Sequence, residues 1–214
     1  MGIGGIFGYH FLYFSALQRA PVVEASLMNY LWPLLIVLLS PLFLTNYQLQ
    51  THHLVGALMG LGGAGLIITG GRLDLDLVNL PGYLLAAGAA LTWSSYSLMT
   101  KRLPPFPTAA VGAFCLASGL FSLAAYYLSG SAFPISSLTG ADWLSLILLG
   151  AGSLGAAFFT WDASLKRGDP RIIGSLAYLT PLTSTVVLVA LGGRALTWVS
   201  ALAMLLIVGG AIIG

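Results

Sequence analysis

From Ala25 to Gly71 the chain carries no Asp, Glu, Lys or Arg, and the same holds from Leu103 to Ala141 and from Ala195 to Gly214. Runs this long have too few charges to cover a water-facing surface, and a membrane helix needs only ~20 mostly apolar residues. The rest of the composition agrees. Hydrophobic residues make up 58% of the 214 positions and charged ones 7%, where a soluble domain carries roughly a quarter charged. Disorder is excluded too, because it requires low hydrophobicity with high net charge. The chain therefore reads as an all-α membrane protein.

Eight spans are expected, at Gly2–Leu17, Val22–Leu44, Leu54–Gly70, Leu80–Thr100, Thr108–Leu128, Ala141–Trp161, Ile172–Leu191 and Ala195–Gly214. Short polar or proline-containing breaks separate them, and these belong at the interfaces, since irregular lipid-exposed backbone is not viable at membrane depth. The first span lacks a basic leader and a small-residue cleavage site, so it is read as part of the mature protein. Alternate breaks hold Arg19, Arg72 and Arg194 on one side and Lys101, Arg102, Lys166, Arg167 and Arg171 on the other. The richer side is expected to be cytoplasmic, which makes both termini cytoplasmic as well. The lone Cys115 lies within an apolar run and implies neither a disulfide nor a metal site.

The strongest organising signal is an internal repeat. Ser15–Leu34, SALQRAPVVEASLMNYLWPL, aligns without a gap on Ala163–Leu182, ASLKRGDPRIIGSLAYLTPL. Leu17/Leu165, Arg19/Arg167, Tyr30/Tyr178, Leu31/Leu179, Pro33/Pro181 and Leu34/Leu182 coincide. The copies run into the second and seventh spans, five apart, and an odd number makes them cross the membrane in opposite senses. Inverted repeats of this kind are common in secondary transporters, which bind substrate near the midplane where the repeats meet. Pro33 and Pro181 stand at matching positions, where each removes an amide hydrogen and clashes with the carbonyl four residues back. Paired kinks are therefore expected, with freed backbone oxygens inside the bundle.

The doubled pattern of a helix end, a tight turn and a helix with a central Pro-Leu occurs as ALQRA…WPLL and ASLKRG…TPL. It resembles the EamA-domain branch of the drug/metabolite transporter superfamily. YHFLY at Tyr9–Tyr13 and NYLWP at Asn29–Pro33 are similar to the YddG-type aromatic amino acid exporters of that branch. The resemblance implies a ten-helix fold of two inverted five-helix repeats in a bacterial inner membrane. In that frame residues 1–70 supply helices three to five of the first repeat and residues 80–214 the whole second repeat, so the first two helices are expected to be absent.

Aromatic side chains are the candidate site. Tyr9 and Tyr13 share one helix face, and Trp93 shares a face with Tyr96 and Ser97. With Tyr30, Trp32 and Tyr178 they would form flat walls with hydrogen-bonding edges, suited to an amphipathic solute. Tyr30 and Trp32 lie about 200° apart on a straight helix, so both face one cavity only if the Pro33 kink re-aims one of them. Tyr96 and Trp161 read equally well as interfacial belt residues. Among the charges, Glu24 starts a helix where the dipole favours it and is the one candidate for contacting a substrate or a coupling proton. Asp162 and Lys166, four residues apart, read as an ordinary ion pair. His52 and His53 are adjacent and lack a third ligand, so a solvated loop is expected there rather than a metal site. The strip Gly56-x-x-x-Gly60 with Ala64 suits close helix contact.

No deep acid is visible, which favours a neutral or zwitterionic solute over a lipophilic cation. No catalytic constellation or phosphate-cradling loop is present, so an enzyme is not expected, and no cofactor is called for. The leading expectation is an amino acid exporter working by alternating access, with the lipid bilayer and a small solute, but not nucleic acid, as partners. Two readings stay open beside it: the same fold carrying drugs, nucleotide-linked sugars or other metabolites, and a non-transporting eight-helix remnant. Energy coupling and oligomeric state are not legible in these residues.

Overall fold

The computed structural model describes residues 1–45, 47–72, 75–130, 135–192 and 197–214, and these form eight helical stretches. In chain order they are α1 (2–17), α2 (Val22–Phe43), α3 (Thr51–Thr69), α4 (Leu80–Arg102), α5 (Ala110–Leu128), α6 (Gly140–Arg167), α7 (170–192) and α8 (Trp198–Ile213). Four of them, α2, α3, α5 and α6, are each long and apolar enough to cross a membrane. The expected placement of Arg194 and the expected start of the last span at Ala195 lie outside the described residues, as do Asn46 and parts of the breaks at 72–79 and 129–140.

The two proline-bearing helices are broken rather than bent. Helix α2 runs as Val22–Asn29, turns at Tyr30–Leu31, and resumes as Trp32–Phe43. Helix α7 runs as Pro170–Leu176, turns at Ala177–Tyr178, and resumes as Leu179–Gly192. Each break falls just before its proline. Pro33 thus becomes the second residue of a new half-helix, where a missing amide hydrogen costs nothing. The breaks coincide within one residue in the repeat register.

The duplication extends beyond the stretch that sequence identity marks. Helix α1 opens with a π-helical turn at Gly2–Phe7, and α6 contains another at Gly152–Ala156. In the same register these segments overlap, pairing Gly2 with Gly150, Gly4 with Gly152 and Phe11 with Phe159. Helices α1, α2 and α3 thus correspond to the C-terminal part of α6, to α7 and to α8.

Small residues set the closest helix contact. Helices α3 and α8 pack along their length, with Gly56, Gly60, Gly63 and Ala64 of α3 facing Ala203, Ile207 and Gly210. A Cβ added to Gly56 would lie 2.6 Å from the Gly210 carbonyl oxygen, and one on Gly210 would lie 2.6 Å from that of Gly56. Without a hydrophobic driving force between helices in lipid, such backbone approach supplies the packing.

Charged groups tie together the three loops that the Lys and Arg count assigns to one side. Arg171 donates to the Gln48 carbonyl at 2.6 Å, Lys101 donates to the Gly168 carbonyl, and Lys166 donates to the Phe106 carbonyl at 2.8 Å. The Tyr47 ring lies near both Lys101 and Arg171, 5.9 and 4.9 Å from its centroid. Burial raises the pKa of Asp169, but hydrogen bonds and charge from Arg171 outweigh it and hold the carboxyl below its ordinary value. A depressed carboxylate stabilises the fold above its unfolded pKa, so this contribution is lost as pH falls through the lowered value.

His52 is exposed, as expected, but His53 is not. Helix α3 begins at Thr51, so His52 and His53 occupy its first turn, and His53 is buried beside Arg171 and Asp169 rather than solvated. Helix α3 packs there against the start of α7, which covers His53.

The ion pair between Asp162 and Lys166 forms, at 2.6 Å, with the Asp162 side chain 1% exposed and that of Lys166 23%. Lys166→Met would leave a buried carboxylate unpaired, and such a loss costs about 3 kcal/mol or more. A marked drop in the melting temperature of the purified protein in detergent is expected, with Asp162→Asn/Lys166→Met recovering most of it. An unchanged melting temperature for the single variant would show that water already compensates Asp162.

Candidate functional site

An aromatic cluster forms where α1, α2, α4 and α6 meet, and Trp93 is its centre. The Trp93 ring centroid lies 5.3 Å from Tyr9, 5.2 Å from Tyr96, 5.4 Å from Phe158 and 6.1 Å from Trp161. Trp32 meets Trp93 edge-on at 6.5 Å and Trp161 edge-on at 5.3 Å. Tyr13 stacks on Tyr9 at 6.0 Å, as their four-residue spacing dictates. Edge-to-face and offset arrangements are those the ring quadrupole favours.

Hydrogen bonds fix several members. Trp161 donates its indole N–H to Ser97 Oγ at 3.0 Å, and Ser97 donates to the Trp93 carbonyl at 2.8 Å. Ser94 donates to the Trp32 carbonyl at 2.9 Å, tying α4 to the start of the second half of α2. Asn29 donates to the Tyr9 hydroxyl at 3.1 Å, and Tyr13 shares a hydrogen bond with Ser26 at 3.1 Å. Asn29 is buried at the C-terminal end of a half-helix, and its Oδ1 has no partner among the described residues. Ser97→Ala removes the indole's acceptor, and a loss of about 1 kcal/mol is expected in detergent unfolding; an unchanged stability would mean that Trp161 is held by packing alone.

Beside the cluster is a cavity of about 320 Å³ between α1, α5 and α6. Its apolar lining includes Ile6, Phe14, Leu154 and Phe158, and its polar lining His10, Cys115, Ser118 and Ser122. His10 and Phe158, equivalents in the repeat, meet edge-on in its lining with ring centroids 5.9 Å apart. That volume, lined by apolar side chains interspersed with hydroxyl, thiol and imidazole groups, suits a small organic solute.

The sequence-derived candidates divide. Tyr9, Tyr13, Trp32 and Trp93 come together. Tyr30, in the turn, and Trp32, just after it, part company: Trp32 joins the Trp93 cluster while Tyr30 packs with Tyr178, Ala64 and Ile207. Tyr178 is fully buried there, its hydroxyl engaged by the α2 backbone. Glu24 lines an open cleft of about 570 Å³ with Asp76 and Asn79, at the opposite end from the tied loops, and its Oε2 has no partner among the described residues. Sequence reasoning passed over Phe158, His10 and Asn29 and left Trp161 and Tyr96 as equally good belt residues. For Trp161 the repeat register supplies a signal, because Trp161 is the counterpart of Tyr13.

Residues 1–69 and 80–213 match the EamA-like transporter family. The chain belongs to that family. Like other EamA-like transporters it is an integral membrane protein, and a small molecule is its cargo. It is similar to "Aromatic amino acid exporter YddG" of Ancylobacter novellus, 46% identical over 98% of this chain and 72% of that protein. A protein of the same name from Salmonella typhimurium is 27% identical over 79% of this chain, which spans only 59% of its length. A solved crystal structure, 46% identical, superposes with a TM-score of 0.91 over 99% of this chain and 75% of the other. The fold of this EamA-like chain, with eight helices and two broken ones in matching register, thus has an experimental counterpart.

Proposed function

We propose that this protein exports aromatic amino acids by alternating access, with Tyr9, Tyr13, Trp32 and Trp93 as the aromatic walls of the site. The observation that carries the reading is the convergence on Trp93 of rings from both halves of the duplication: Tyr9 and Trp32 from one, Phe158 and Trp161 from the other. A site shared by two inverted units is where rocking of one against the other exposes a solute to each side in turn. Identity of 46% to a protein named as an aromatic amino acid exporter supports the cargo.

In this reading the Asn29 amide, at the negative end of a half-helix, accepts from the solute's ammonium, which the neighbouring rings also attract. Glu24 contacts the solute or a coupling proton at the cleft it lines. Pro33 and Pro181 supply the breaks and no direct contact. Residues 1–70 correspond to three helices of one repeat and 80–214 to the five of the other. The side bearing Lys101, Arg102, Lys166, Arg167 and Arg171 is cytoplasmic, and with it both termini. Proteoliposomes loaded with labelled tryptophan, phenylalanine or a neutral sugar test the reading. Efflux of the aromatic amino acids well above that of the sugar is expected; equal efflux of all three would overturn it.

A further inference from the structure

The Tyr178 hydroxyl sits inside a helical hydrogen bond. In an unbroken helix the Leu34 amide would donate to the Tyr30 carbonyl, four residues back. Here Leu34 N donates instead to the Tyr178 hydroxyl at 3.2 Å, and that hydroxyl donates onward to the Tyr30 carbonyl at 3.2 Å. One side chain thereby satisfies both backbone groups that the break before Pro33 strands in an apolar interior, where an unmet group costs free energy. The Tyr178 ring is fully buried and lies on Gly60, where any added Cβ would collide with it.

The residue that pins the first break is the repeat counterpart of the residue whose carbonyl it holds. Tyr30 aligns with Tyr178, and Leu34 with Leu182. The second break, at Ala177–Tyr178, offers the equivalent pair of backbone groups, the Tyr178 carbonyl and the Leu182 amide. Tyr30 packs in the same apolar group as Tyr178, yet its own hydroxyl makes no hydrogen bond to a described residue. Two inverted, sequence-related units therefore stand in different states: one tyrosine is engaged in the opposite break and its twin is not. In an inverted-repeat transporter the two end states are related by exchanging the conformations of the two halves.

We propose that Tyr178 and Tyr30 are alternating pins, Tyr178 holding the α2 break in the state described here and Tyr30 holding the α7 break, through the Tyr178 carbonyl and the Leu182 amide, in the oppositely facing state. Both act as positioning residues, setting which way the site opens. The inference rests on the alternating-access reading above, but it is tested without cargo.

In a Cys115→Ser background, single cysteines at Asn79 and at Thr108 report access at the two ends of the bundle to a membrane-impermeant maleimide, applied to vesicles of each orientation. Tyr178→Phe removes the pin of the present state and Tyr30→Phe that of the other. The two variants should shift the ratio of Asn79 to Thr108 labelling in opposite directions, each by about two- to tenfold, the range that one net hydrogen bond can supply. The double variant should return the ratio towards that of the parent. A purely structural role would move both ratios the same way or neither, and either outcome overturns the proposal. Should Tyr178→Phe fail to fold, Tyr30→Phe decides alone: its hydroxyl bonds nothing described in the present state, so a shifted labelling ratio with an unchanged melting temperature upholds the pin, and an unshifted ratio overturns it. Efflux measured on the same vesicles separates this result from the cargo assignment, since a failure to carry tryptophan leaves the labelling outcome intact.

Discussion

Trp93→Ala is expected to lower efflux of aromatic amino acids from proteoliposomes by about tenfold or more. Trp93 stands at the centre of the cluster, and its indole is the one ring in contact with Tyr9, Trp32, Tyr96, Phe158 and Trp161. Truncating a buried Trp to Ala costs about 3–5 kcal/mol through lost contacts and the space left behind. In a shared wall that space also lets the surrounding rings lean inward, so the site loses shape as well as area. Trp93→Phe keeps a flat ring and should retain much of the flux, which separates loss of the aromatic wall from loss of the fold. Normal efflux by well-folded Trp93→Ala would remove this cluster from the site.

Gly210→Leu carries the second large effect, on assembly. A Cβ at Gly210 would meet the Gly56 carbonyl oxygen at 2.6 Å and the Gly60 amide nitrogen at 3.0 Å. These are backbone atoms on a helix that cannot rotate away. Overpacking alone costs about 1–3 kcal/mol, and separating α3 from α8 forfeits the dispersion contacts along both helices that take the place of a hydrophobic force in lipid. The expected outcome is a large fall in melting temperature in detergent, or failure to accumulate in the membrane. Gly62→Leu on the same α3 is the control, because nothing lies within 4 Å of its Cβ position and little change is expected. Equal effects at the two positions would mean that helix propensity, not contact, decides.

The number of helices and most of their limits were legible because uncharged runs and charged breaks alternate, and lipid imposes that alternation directly. The breaks in α2 and α7 were legible as positions from Pro33 and Pro181, but not as complete interruptions; in α2 the interruption depends on Tyr178 reaching across to take the stranded groups. Membership of the aromatic cluster was half legible. Spacing put Tyr9 with Tyr13, and Trp93 with Tyr96. It could not say that Trp161 turns inward, because lipid tails and bundle interior are equally apolar and hydropathy does not distinguish them. The divergence of Tyr30 and Trp32 was legible from their helical spacing, whereas the turn at residues 30 and 31, which keeps Pro33 from bringing them onto one face, was not. His53 was missed because its burial comes from α7, far along the chain.

The first half of α6 offers a different kind of consequence. Residues 140–149 are exposed throughout, with Trp143, Leu144, Ile147 and Leu148 all pointing away from the bundle. No described helix packs closely on it, so wherever hydrocarbon covers that stretch its inclination answers to how thick the surrounding lipid is. The π-turn at Gly152–Ala156 lies between that stretch and Trp161, which gives a change in acyl-chain length a mechanical route to the far wall of the aromatic cluster.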